Sequence, residues 1–151
     1  MIVLEYHTPY ADLIHREVMI HFRVGTVAVL EAAGLPLLPF ALFSLAIIRA
    51  LPIMRRARLD LWENSGDILL KQVDDQVRIF NTLTKETITS EYHDLLQAWQ
   101  AFAQQVHDQV LKQHPEAQQH AAWRWLTESL SPAEMRMVSA EQWFQGYEQA
   151  F

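Results

Sequence analysis

The run LPLLPFALFSLAII, residues 35–48, leaves the chain few ways to fold, because it holds fourteen residues without a charge. A helix that crosses a bilayer needs about 20 apolar residues, and a run of about 10 to 14 is more typical of a buried core helix. Gly34 ends the element before the run, and the two prolines of the run suit a first helical turn. We therefore expect a buried helix over residues 36–50 that ends at Pro52, with a position on a membrane surface as the alternative.

The N-terminal third shows the alternation of apolar and polar residues that is typical of half-buried strands. Residues 2–7 and 18–24 alternate in this way, and Gly25 and Thr26 form a tight turn into a strand over residues 27–31. After the apolar run, three short strands follow within residues 56–83, separated by residues 64–67 and by Asp74-Asp75, whose side chains favour turns. A brief fourth strand is expected at residues 87–89.

From Ser90 the period of the apolar residues changes to that of a helix. Ser90 is a plausible N-cap, and His114-Pro115 is a plausible end. The tail after it contains two capping boxes, at Ser131 and Ser139, and so predicts shorter helices. The apolar face of the long helix holds Tyr92, Leu95, Leu96, Trp99, Phe102, Val106 and Val110. The tail is rich in aromatic residues that need to cover apolar surface: Trp123, Trp125, Trp143, Phe144, Tyr147 and Phe151.

These elements predict a single α+β domain over residues 1–151. We expect an antiparallel sheet of about five to seven short strands packed with the apolar helix and the long amphipathic helix. The sheet and the core helices occupy residues 1–114, and the helical tail occupies residues 115–151. The length of 151 residues matches one domain, and the absence of cysteine suits a cytoplasmic protein.

The net charge of −6 comes from the second part of the chain. Residues 1–85 hold nine acidic and nine basic side chains, whereas residues 86–151 hold nine acidic and three basic ones. A negative field favours a basic partner protein over nucleic acid or anionic lipid, although solubility alone also explains it. We expect no nucleic-acid or membrane partner. The local basic patch is expected to pair with acidic side chains across the sheet or in the tail, and it holds Arg49, Arg55, Arg56 and Arg58.

The sequence contains few of the motifs that carry enzyme chemistry. It has no Gly-x-Ser-x-Gly motif, no phosphate loop and no His-x-x-x-His pair, and cysteine is absent. His93 and His107 lie about 21 Å apart along the predicted helix, too far to share an ion. We therefore expect no catalytic residue, no metal site and no cofactor.

The order of elements from residue 6 to residue 116 resembles the small immunity proteins of bacterial contact-dependent growth inhibition and polymorphic toxin systems. In several of those families a hairpin and an apolar helix precede a strand with aromatic and acidic residues, here Trp62-Glu63. A Gly-containing turn at Gly66, further strands and a long amphipathic helix follow. The resemblance implies a cytoplasmic location, no catalysis, no cofactor and the binding of one cognate toxin domain, but it transfers no contact residue.

Two functions from different classes remain open. The first is an immunity protein that neutralises a basic, nuclease-like toxin by occluding its active site. The second is a non-enzymatic interaction or ligand-binding module, which could form a homodimer through the aromatic tail. Charge, turn position and the tail aromatics alone suggest a toxin-binding set of Glu63, Asp67, Asp74, Asp75, Glu116, Trp123 and Glu128.

Overall fold

A computed structural model describes residues 2–7, 17–60, 66–113 and 115–116 of the chain. Its fold is α+β, with seven strands and two helices in the described part. In chain order the elements are β1 (Ile2–His7), β2 (Glu17–Val24), β3 (Val27–Pro36), α1 (Leu37–Met54), β4 (Arg56–Asp60), β5 (Asp67–Val73), β6 (Gln76–Asn81), β7 (Thr87–Glu91) and α2 (Tyr92–Gln113). The predicted tail helices lie outside the described residues.

The strands form two antiparallel sheets, so the prediction of one sheet was wrong. The orders are β1-β2-β3 and β4-β5-β6-β7. Alternation identifies a strand and its buried face, but not the strand to which it hydrogen-bonds. Because α1 follows β3 directly, the chain leaves the first sheet before β4 begins. The predicted hairpins are confirmed, since Val24 pairs with Val27 and Val73 pairs with Gln76.

The apolar helix is buried, as predicted, and it starts one residue from its predicted start, but the predicted break at Gly34 and the predicted end at Pro52 were wrong. Strand β3 continues through Gly34, and α1 begins at Leu37. At the other end α1 continues past Pro52 to Met54. The side chains of Leu45, Ile48 and Leu51 are inaccessible to solvent, and α1 contacts α2, β3, β4 and β5. Neither helix of the described residues is both long and apolar enough to cross a membrane.

Tyr92 explains how α1 continues past its proline. Pro52 has no N–H, so the carbonyl of Ile48, four residues earlier, lacks its usual helical donor. The phenol of Tyr92 donates a hydrogen bond to this carbonyl at 2.9 Å. Burial raises the pKa of Tyr92, although nearby Arg49 opposes the shift, so the phenol keeps the proton that it donates. The first residue of α2 thereby replaces the missing bond inside α1.

Helix α2 has the predicted apolar face but a different N-terminus. Ser90 belongs to β7, where it pairs with Val77, and the helix begins two residues later at Tyr92. Ser90 is therefore not the predicted N-cap, because its backbone is committed to the strand. A buried hydrogen bond joins the helices, since the indole N–H of Trp99 donates to Ser44 Oγ at 2.8 Å. The buried residues of α2 are Leu95, Trp99, Phe102, Ala103, Val106 and Val110.

Asn81 connects the two sheets. Its side-chain amide donates to the carbonyl of Val29 in β3 at 2.6 Å. Its side-chain oxygen accepts bonds from the backbone N–H groups of Leu83 and Thr84 at 2.9 and 3.2 Å. One buried amide thus orders the β6–β7 turn and fixes the four-stranded sheet against β3.

Replacing Leu45 by Asp should unfold the protein. An unpaired buried charge costs several kcal/mol, whereas a domain is stable by only about 5 to 15 kcal/mol. Ile53→Asp is the matched control, because Ile53 lies on the same helix with 41% of its surface exposed. Thermal melts followed by circular dichroism compare the two variants. Equal melting temperatures would contradict the interior position of α1.

Replacing Tyr92 by Phe should destabilise the fold by about 1 to 3 kcal/mol, because the Ile48 carbonyl loses its donor. The loss should be smaller in a Pro52→Ala background, where position 52 regains an N–H. Chemical denaturation of the four proteins of this double-mutant cycle measures the coupling. Additive effects would show that the phenol does not substitute for the missing helical bond.

Candidate partner-binding surface

A hollow of about 780 Å³ lies where the two sheets and the start of α2 meet. One wall comes from the end of the β1–β2 pair, and the other comes from β6, β7 and the first turns of α2. Polar side chains dominate the second wall. The lining residues are Ile2, Val24, Gln76, Thr89, Ser90, Glu91, Asp94, Gln97 and Ala98.

Backbone pairing brings the β5–β6 turn to this hollow. Glu91, the last residue of β7, lies opposite Gln76. The backbone N–H of Tyr92 then donates to the carbonyl of Asp75 at 2.8 Å, so α2 starts against the turn. Asp94 falls in the first turn of α2, where the helix dipole favours a negative charge. These constraints place carboxylates from three elements at one end of the four-stranded sheet.

We call Asp74, Asp75, Glu91 and Asp94 the acidic end. All four side chains are exposed, and within the described part of the chain none of them forms an ion pair. The turn is held by the buried side chain of Gln72, whose amide donates to the carbonyl of Asp74 at 3.0 Å. Exposed charges of this kind contribute little to folding, and they give the surface a negative field.

The structure brings together only part of the predicted toxin-binding set. Asp74 and Asp75 lie at the acidic end, whereas Asp67 lies at the opposite end of β5 and forms an ion pair with Arg58. This pair confirms for Arg58 the predicted pairing of a basic residue across the sheet. Glu116 follows the far end of α2, a helix that is about 33 Å long at 1.5 Å per residue. The other predicted residues, Glu63, Trp123 and Glu128, lie outside the described residues.

Sequence reasoning missed Glu91 and Asp94. Both stand near the start of a helix, where acidic residues are common because they stabilise the helix dipole, so their pattern suggested no binding role. Their position beside Asp75 depends on the register of β6 with β7, in which Gln76 lies opposite Glu91. The sequence contained one indication of the surface: Asp75 stands in a predicted turn, and Glu91 and Asp94 stand near the predicted start of the long helix.

The described residues include no group of three or more His, Cys, Asp or Glu that could hold a metal ion. No protein-family model, curated protein or solved structure matches the chain. The resemblance to immunity proteins therefore stays a prediction from the sequence. The geometry itself offers an open, negatively charged hollow with polar side chains, which suits the binding of a positively charged surface.

Replacing Asp74 by Ala should destabilise the fold more than replacing it by Gly. Asp74 has a φ of 53°, and this left-handed conformation costs most residues about 1 to 2 kcal/mol but costs glycine nothing. Both variants lose the carboxylate, so the difference between their free energies of unfolding reports the backbone conformation. Denaturant melts measure this difference. If the two variants are equally stable, the turn does not keep its left-handed residue in solution.

Proposed function

We propose that this protein is an immunity protein, which binds and neutralises a cognate toxin domain. The acidic end and the hollow beside it are the observation that carries the proposal. Four exposed carboxylates from three elements converge there without ion pairs among the described residues. A toxin that acts on nucleic acid needs a basic substrate site, because its substrate is a polyanion. An acidic surface can compete for that site and occlude it.

The proposal assigns the protein a stoichiometric role in the cytoplasm, without catalysis and without a cofactor. Complementary fields speed association and reject partners of the same charge. The hollow adds shape complementarity to charge complementarity, because a side chain of the toxin can enter between Val24 and Asp94. Support comes from the charge arrangement and from the resemblance in the order of elements.

A ligand-binding module is the second candidate, and the size of the hollow favours it. Pockets for small molecules usually measure about 300 to 1,000 Å³, and this hollow falls in that range. Its lining is polar and open rather than enclosed and apolar. A small molecule would have to be held by Gln76, Glu91 and Gln97, so a polar or cationic ligand fits this alternative.

The direct test uses the C-terminal domain of whatever protein the reading frame immediately upstream encodes, because the proposal predicts that this domain is the toxin. Cells that express that domain should survive when they also express this protein and die when they do not. The purified complex should form more slowly as salt rises, because screening acts over about 8 to 10 Å at physiological ionic strength. Cells that die in both cases, with no complex on co-purification, would overturn the immunity proposal.

Charge reversal tests the surface. Glu91→Lys and Asp94→Lys should each slow association by about tenfold. Glu91→Lys should leave the melting temperature nearly unchanged, whereas Asp94→Lys should also lower it slightly, because it places a positive charge at the start of α2. Glu86→Lys is the matched control, since Glu86 is an exposed acid near the other end of β7. Stopped-flow association rates at low salt separate the variants. Equal slowing by all three would mean that net charge, rather than the acidic end, governs binding.

A further inference from the structure

The outward face of the four-stranded sheet carries a row of three cations. Arg56 of β4 lies directly opposite Lys71 of β5, and Lys71 lies directly opposite Arg78 of β6. All three side chains are exposed. Neighbouring strands are about 4.8 Å apart, so the row spans about 10 Å. We call these residues the cation row.

Among the described residues, the cation row lacks a counter-charge. Within the described part of the chain, none of its members forms an ion pair, and the carboxylate of Asp67 on the same face is taken by Arg58. Like charges directly opposite each other on a sheet are destabilising. Within the described part of the chain these charges therefore do not help folding, and a bound anion would relieve the repulsion between them.

Apolar side chains border the cation row. Leu69 and Phe80 lie opposite each other on the next row of the same face, and Leu69 is 39% exposed. Together with the cations they surround a shallow hollow of about 290 Å³. Long basic side chains next to apolar side chains can pair with the charges of a ligand and bury its apolar groups at the same time.

We propose that this face binds an acidic protein segment in which two or three carboxylates flank an apolar side chain. The carboxylates would pair with Lys71 and Arg78, and the apolar side chain would cover Leu69 and Phe80. A polyanion such as single-stranded nucleic acid fits less well, because the chain has a net charge of −6. It also needs exposed rings on which bases stack, and Phe80 is half-buried. The surface is distinct from the acidic end and does not depend on the proposed function.

The probe is a short synthetic peptide in which Glu alternates with Leu and Phe, labelled for fluorescence anisotropy and added to the full chain. Two peptide controls replace Glu by Gln or the apolar residues by Ser. The variant Lys71→Glu with Arg78→Glu should weaken binding by about tenfold or more, because two charge-assisted contacts become repulsive. Lys85→Glu with Lys112→Glu is the matched control at exposed lysines elsewhere, and it should leave binding nearly unchanged.

Lys71→Gln with Arg78→Gln repeats the test without reversing charge, and a melt of each variant confirms that it folds. Three outcomes would overturn the proposal. One is an equal loss of peptide binding in the matched control, Lys85→Glu with Lys112→Glu. A second is tighter binding of an oligothymidylate than of the peptide, with the same dependence on Lys71 and Arg78. The third is a carbodiimide cross-link, in the free monomer, from Lys71 to a carboxylate of residues 117–151, which would show that the chain covers this face itself.

Discussion

Burial of α1 is the constraint on which the rest of the described structure depends. A helix that is apolar nearly all round must be covered on several sides, and one sheet covers only one side. Contacts with β3, β4, β5 and α2 supply that cover. The arrangement explains why the strands divide into two sheets: each sheet takes one part of the surface of α1, and α2 takes another. The exposed apolar residues of α1 in the described part, Ile53 and Met54, come where the helix emerges from this cover.

Buried polar groups then fix how the layers meet. Burial without a hydrogen bond costs about 1 to 3 kcal/mol per group, so each such group selects one alignment of its neighbours. Ser44 sets the position of α1 against Trp99 of α2, and its hydroxyl also donates to the carbonyl of Phe40 at 2.6 Å. Tyr92 sets the start of α2 against Ile48, and Asn81 sets the four-stranded sheet against β3. Apolar packing alone tolerates small slips, whereas these bonds do not.

Local patterns predicted the strands, the two hairpins and the apolar face of α2, because alternation and helical period depend on neighbouring residues. These local patterns failed where the end of an element depends on a residue that is distant in the sequence. The helix was predicted to end at Pro52, but the Ile48 carbonyl has a donor 44 residues away in the sequence, at Tyr92. Ser90 has the chemistry of an N-cap, but pairing with Val77 holds it in a strand. The candidate surface was predicted in part for the same reason: Asp74 and Asp75 mark a turn in the sequence, whereas their proximity to Glu91 and Asp94 follows from the register of β6 and β7.

The net charge of −6 does not show that the four-stranded sheet carries two surfaces of opposite charge, the acidic end and the cation row. Lys71 and Asp74 are three residues apart on β5 and its turn, a separation of about 10 Å, which is close to the Debye length at 0.1 M salt. At that ionic strength screening limits each field to groups in close contact with the charges, so the cation row does not neutralise the acidic end. At low salt the two fields overlap and act together as a dipole, which orients an approaching charged protein rather than simply attracting it. A partner with basic and acidic regions in the matching order would therefore be oriented by this sheet, and rising salt would weaken that orientation.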